Sequence, residues 1–306
     1  MKGEAKMKKS SVMEPLPPLG DMVFAKMFEN KEAARAARGL INAVLRDAGY
    51  PQVKEIIEVK SQYTLLGDLI EEAKSQGGTG FSHGGRVDVR ALDENDALFE
   101  IEVQLYWEPL IVDRSLFYDG LMVRDAFSEG GGYEQLPRRV IINLLGKGVR
   151  RAPDEYHNVI GLTYLNGSKC ELASERIRIH NIELDAFERL YGSTPTEGLS
   201  ELGVWLRYML SGYRDRKEER KMIDNTKELE EFAKRYHFAA DDPQLREKYE
   251  FIMSGVRDEA TRMNRAKQEG REEVLEEVAA RMKAAGMSSA EITKLTGLTD
   301  KGSAHI

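Results

Sequence analysis

Arg86-Val87-Asp88-Val89-Arg90-Ala91-Leu92 and Phe99-Glu100-Ile101-Glu102-Val103-Gln104-Leu105 are the two stretches whose reading decides the fold. Apolar and polar residues alternate in both, the period of a strand with one buried face. Asp93-Glu94-Asn95-Asp96 between them is turn chemistry, so the pair is expected to form an antiparallel hairpin. Burying both apolar faces fixes the parity of the register, because a one-residue slip turns one strand inside out. Val89 then shares a face with Ile101, and Asp88 shares the other face with Glu102 and Gln104. The simplest such register sets Asp88 opposite Glu102, Arg90 opposite Glu100, and Arg86 opposite Gln104. Facing carboxylates repel each other. A divalent cation between them removes that cost, and hard cations such as Mg²⁺ prefer carboxylate oxygens. The hairpin therefore reads as a metal site. The plainer alternative is a solvated strand face on which Arg86 and Arg90 offset the carboxylates.

Outward from the hairpin, Met1 to Leu19 is a lysine-bearing tail ending in Pro15, Pro17 and Pro18, expected to be extended or disordered. Asp21 to Asp47 reads as helix, with Asp21 at its N-cap or in its first turn. Val53 to Val59 is a strand candidate. Tyr63 to Ser75 has helical spacing, with an extended alternative left open, and Gln76 to Gly85 is a glycine-rich loop. That loop lacks the Gly-Lys-Ser/Thr ending of a phosphate-binding loop. Beyond the hairpin, Ile111 to Glu129 is expected to be a helix closed by Gly130 to Gly132. Arg139 to Leu145 has the length and apolar character of a central strand, and Val159 to Leu165 and Glu175 to Glu183 add two more strands. Helix, hairpin, helix and strand in this order predict a mixed α/β sheet with helices on its faces.

Strand signals vanish after about Leu199. Helices are expected at Ser200 to Arg214 and Asp224 to Tyr236, and Asp242-Pro243 marks a further start. Gln244 to Ala285 reads as one or two long helices, softly interrupted near Gly255 and Gly270. Ser288-Ser-Ala-Glu291 is a capping box opening a last short helix that ends at Gly297. Two short helices around Gly286 have the outline of a helix-turn-helix. With Lys294 as the only basic side chain of the second, packing or dimerisation is the better use.

At 306 residues and 32% charged residues, the chain can bury a full core and is expected to be soluble and cytoplasmic. The mean hydropathy is −0.49 and no apolar run approaches a membrane span. A single cysteine, Cys170, excludes an internal disulfide and a cysteine-cluster zinc site. The histidines are scattered in sequence, without metal-ligand spacing. A formal net charge of −7 argues against a nucleic-acid coat protein but leaves room for an enzyme with a local basic rim. Arg114, Arg124, Arg138, Arg139, Arg150 and Arg151 are the rim candidates.

Asp88, thirteen intervening residues, then Glu102-x-Gln104 resembles the PD-(D/E)xK nuclease superfamily. Gln104 stands where lysine is more usual, and this Glu-x-Gln variant is similar to the recombination-promoting nuclease and putative transposase family. Asp21-Met-Val-Phe24-Ala-Lys26-Met-Phe28 resembles that family's first helix. Arg114-Ser-Leu-Phe-Tyr118, Gly132-Tyr133 and Val140-Ile-Ile-Asn-Leu-Leu145 resemble the helix and strand after its hairpin, and Ile177 to Leu184 its next strand. Five segments in the right order span about residues 19 to 200.

The resemblance implies a restriction-endonuclease-like αβββαβ core at residues 20–200, after a tail at 1–19 and before a C-terminal helical region at 201–306. It implies a metal-dependent DNA endonuclease hydrolysing phosphodiester bonds. Asp88 and Glu102 would carry Mg²⁺ or Mn²⁺, Gln104 would orient water or a phosphate oxygen, and Asp21 would be a third acidic group. Arg114 and Tyr118, one helical turn apart, would face the site or the phosphate, or else pack beneath the hairpin. DNA is the expected partner, no membrane is expected, and a homodimer through the C-terminal helices is a further expectation. The alternative is a catalytically inactive DNA- or protein-binding module on the same fold.

Overall fold

The computed structural model describes residues 14–64, 86–105, 110–126, 132–146, 155–166, 169–224 and 226–298. The chain opens with helices α1 (Asp21–Met27) and α2 (Ala34–Asp47). The single helix expected from Asp21 to Asp47 is broken, because Asn30 turns extended and a short 3-10 turn follows at Lys31–Ala33. The freed backbone at the break finds a partner elsewhere: Arg235 donates to Met27 O at 2.6 Å and to the Asn30 side chain. Strands β1 (Ile56–Thr64), β2 (Arg86–Asp93) and β3 (Leu98–Gln104) come next. The helix and loop expected between Tyr63 and Gly85 lie outside the described residues, except that Tyr63 and Thr64 end β1.

Helix α3 (Ile111–Ala126) links β3 to β4 (Arg139–Leu145), and β5 (His157–Asn166) and β6 (Lys169–Glu183) form a long hairpin. All six strands make one sheet in the order β1-β2-β3-β4-β6-β5. β3, β4 and β6 run parallel in its centre, while β1, β2 and β5 pair antiparallel at the flanks. The expected αβββαβ succession is therefore present in a mixed sheet. Central parallel strands are covered on both faces, and β4 is accordingly buried along its whole length.

One face packs under α3, where Leu98, Tyr118, Met122, Ile141 and Ile179 form a buried cluster. The other face carries Val89, Ile101, Ile142 and His180, and α2 reaches it through its last residue. Asp47 Oδ2 meets His157 Nδ1 at 2.7 Å, and His157 Nε2 meets His180 Nδ1 at 3.0 Å. Tyr156 and Ser200 both donate to Asp47 Oδ1. Two histidines that are scattered in the sequence thus join in space. Burial, His157 and Arg178 push His180 down to about 3, so its imidazole is neutral. This relay, exposed at Asp47 and buried at His180, is a polar pin between α2 and the sheet.

Six further α-helices follow the sheet within the described residues, the first five being α4 (Leu184–Tyr191), α5 (Glu201–Leu210), α6 (Arg216–Asp224), α7 (Lys227–Ala240) and α8 (Pro243–Ala284). Ser200 caps α5 through Gly203 N, satisfying one of the free amides at its start. Helices α5 and α7 pack on α1 and α2, so one compact unit extends to Leu245. Arg246–Ile306 forms the second unit. There α8 runs through Gly255 and Gly270 without a break, and α9 (Ser289–Thr296) begins on the expected Ser288–Glu291 capping box. Gly297 closes α9 at φ +74°, a conformation that favours glycine. Among the described residues, no helix is long and apolar enough to cross a membrane.

Candidate active site

The hairpin adopts the predicted parity. Val89 pairs with Ile101 and Arg90 with Glu100, while Asp93 Oδ1 folds the turn by accepting from Asn95 N at 2.9 Å and Ala97 N at 2.7 Å. The described β2–β3 pairs stop at Val89–Ile101, one step before Asp88 and Glu102. There the side chains replace the ladder. Val103 N donates to Asp88 Oδ2 at 2.8 Å, and the Glu102 carboxylate accepts from the backbone of Asp88. Each acid is fixed by the other strand's backbone, which holds two negative groups together at the end of the hairpin.

Glu102 is only 4% exposed. Its Oε1 takes a hydrogen bond from Arg114 Nη2 at 2.5 Å, while Oε2 is buried without a hydrogen-bond partner. Burial and then the Asp88 charge push its pKa up to about 7, against the opposing pull of Arg114. Glu100, two residues earlier on the same face, is fully buried and both its oxygens lack hydrogen-bond partners. Its pKa rises well above the carboxylate range, through burial first and then the charge of Glu102. An orphaned buried carboxylate oxygen beside a second carboxylate suits a hard cation.

Gln104 ends β3 half-buried, in register with Leu145. Behind it the backbone of Gly146 lies so close to Leu105 that a Cβ would sit 2.3 Å from Leu105 O, so only glycine fits. Helix α3 roofs the site. Arg114 and Tyr118, one turn apart, face it together, with the guanidinium 5.1 Å from the Tyr118 ring centre. Burial and the nearby carboxylates hold the Tyr118 hydroxyl up at about 12, so it remains a donor at neutral pH.

A buried polar row, not anticipated from the sequence, extends behind Glu102. Glu102 is in register with Asn143 on β4, and Asn143 with Asn181 on β6. Asn143 Nδ2 donates to Asn181 Oδ1 at 2.8 Å and to Ser115 Oγ at 3.0 Å. The only signal was a lone asparagine in the otherwise apolar run Val140 to Leu145. Glu100 was likewise legible as a strand residue but not as a buried acid, since alternation alone does not tell that α3 covers this face.

The remaining candidates are placed as follows. Asp21 stands in the first turn of α1 and is exposed, with Gly20 at the cap position. The carboxylates outside the Glu100–Glu102 pair that act most strongly on it are Asp88 and Asp119, not Asp21. Arg139 is a correction to the basic rim. It is 7% exposed and pairs with Asp119 of α3, so it buttresses the fold. Arg124 and Arg138 are exposed, and Arg150 and Arg151 lie outside the described residues. Among the described residues, no three His, Cys, Asp or Glu side chains gather closely enough to hold a metal ion. Two carboxylates suffice for Mg²⁺, which keeps several waters and takes one or two carboxylates.

Residues 18–266 match the family described as PD-(D/E)XK nuclease family transposase. No curated protein and no solved structure matches the chain.

Proposed function

This chain belongs to the PD-(D/E)XK nuclease family of transposases, and we propose that it is a metal-dependent DNA endonuclease whose active site is the end of the β2–β3 hairpin. Membership implies phosphodiester hydrolysis. The observation that carries the assignment to this site is the half-buried Asp88 set beside the buried Glu102, with the Oε2 of Glu102 left without a hydrogen-bond partner.

Asp88 and Glu102 would hold the divalent cation, with Mg²⁺ or Mn²⁺ as the expected ion. Such a cation lowers the pKa of a bound water and polarises a phosphoryl oxygen. Gln104 neither abstracts a proton nor supplies positive charge; its amide orients a water or a phosphate oxygen. Arg114 carries the positive charge that lysine supplies elsewhere in such sites, and its planar guanidinium suits a phosphate. Beside Glu102, which it contacts in the structure, it would be the side chain that binds the scissile phosphate. Tyr118 supports it from below and donates from its neutral hydroxyl. Asp21 keeps the role of a third acid brought up by α1 only if DNA or metal draws that helix end to the hairpin.

Purified protein is expected to nick supercoiled plasmid with Mg²⁺ or Mn²⁺, to stop with EDTA, and to be inactive as Asp88→Asn. A second reading, a non-catalytic binding module, draws on the Arg114–Glu102 ion pair, which engages one of the two carboxylate oxygens. Failure to cleave plasmid, single-stranded DNA and RNA with every metal would favour it. Metal binding is also readable in melting. At a hundredfold excess over its dissociation constant, Mg²⁺ is expected to stabilise the wild type by about 2.7 kcal/mol. Asp88→Asn should lose that shift; equal shifts in both proteins would move the cation elsewhere.

A further inference from the structure

The two edges of the sheet are built differently. Edge strand β1 carries Glu58 and Lys60, paired to each other at 2.9 Å. Charges of this kind protect an edge from pairing with another chain. Edge strand β5, His157–Asn166, carries no Asp, Glu, Lys, Arg or Pro over its whole length. Its outer half is apolar and exposed: Leu162 is 51%, Tyr164 58% and Leu165 82% accessible. The irregularity in the β5–β6 ladder does not blunt this edge. Between Gly161 and Leu162 the partner register jumps from Arg178 to Ser174, so the extra residues belong to β6 and β5 keeps an unbroken run.

We propose that β5 is a self-association edge, taken by β5 of a second copy of this chain in antiparallel pairing across a two-fold axis. Charge favours this occupant. β5 carries no Asp, Glu, Lys or Arg, so two copies of a chain of net charge −7 meet there without like charges opposed. A two-fold axis brings identical patches together. Centred on Leu162, it sets Leu162 against its symmetry mate, Tyr164 against Ile160 and Leu165 against Val159, every pair uncharged. The outward amides and carbonyls of the two β5 strands would then pair with each other, and the two six-stranded sheets would join into one.

The test is the molar mass of the full-length protein in solution, by sedimentation or light scattering over a range of concentrations, for the wild type and for Leu162→Lys with Tyr164→Lys. Both positions are exposed, so an unchanged circular dichroism spectrum and melting midpoint should accompany the double variant. A wild-type dimer that becomes a monomer in the variant is expected, with at least a tenfold rise in the dissociation constant. A second readout places the axis: Leu162→Cys in a Cys170→Ser background should form a disulfide-linked dimer on mild oxidation. A monomeric wild type would overturn the proposal. So would a dimer equally stable in the double variant, which would place the interface elsewhere, as on the C-terminal helices.

Discussion

Glu102→Gln is expected to abolish metal-dependent nicking and, in the same protein, to raise the stability of the metal-free fold. The loss follows from removing one of two carboxylates available to the cation. Metal stabilisation of the transition state is worth several kcal/mol, so a fall of about a thousandfold or more is expected. The gain follows from electrostatics. Glu102 titrates at about 7 in the fold because it is buried beside Asp88, whereas an unfolded glutamate titrates near 4.3. A carboxyl raised on folding leaves stability intact below the unfolded pKa and removes it as pH climbs through the folded one. The penalty therefore grows between about pH 4 and 7, from the unfolded pKa to the folded one, and reaches about 4 kcal/mol. Glutamine has the same shape, keeps an acceptor for Arg114, and carries no charge. Its advantage over wild type should be near zero at pH 4.5, largest above pH 7, and reduced by Mg²⁺. The comparison must be between the two proteins at each pH. His180, held neutral down to about 3, has the opposite sign and destabilises both proteins alike as pH falls below its unfolded value. Denaturant melts at several pH values read the difference, and a constant difference from pH 5 to 8 would contradict the burial of an ionisable Glu102.

Trp205→Ala should be the most damaging substitution away from the hairpin, costing about 3–5 kcal/mol. Trp205 is fully buried on α5 and meets Phe232 of α7 edge-on at 5.2 Å between ring centres. Phe232 in turn meets Phe28 and Tyr208, and Tyr236 continues the cluster to Tyr213. The packing is tight enough that Gly39 of α2 admits no side chain: a Cβ there would stand 2.8 Å from Trp205 Cζ2 and 2.3 Å from Glu228 Cβ. Removing the indole leaves a cavity that these helices cannot close without moving the α1–α2 layer. Whole domains are stable by only about 5–15 kcal/mol, so a large part of the melting transition should move. Urea unfolding measures it, and a loss under about 1 kcal/mol would show that the cluster is not a core.

The contrast between hairpin and helical layer shows what was legible in the sequence. The β2–β3 register, strand β4 and the capping box of α9 were readable because each is written locally, in alternation, in a continuous apolar run, or in residues three apart. The break after Met27 was not, since its carbonyl is answered by Arg235, far along the chain. Helices α5 and α7 fall in the stretch after residue 200, which read as a separate C-terminal helical region. Only their fit against Gly39 and Phe28 makes them part of the first unit. The meeting of His157 with His180 depends on the β5–β6 ladder and on the end of α2. At the candidate site, the shared face of Asp88, Glu102 and Gln104 was legible, whereas the burial of Glu100 and the Asn143–Asn181–Ser115 row required knowing that α3 lies over that face.

The central claim is that the opposed carboxylates of the hairpin are a cation site. Calorimetric titration of the full-length protein with Mn²⁺, wild type against Glu102→Gln, tests it without requiring turnover. Saturable binding in the wild type, accompanied by proton release because Glu102 must ionise, and its loss in Glu102→Gln are the predicted results. Equal heats and equal stoichiometry in the two proteins would contradict the account and remove the metal from this hairpin.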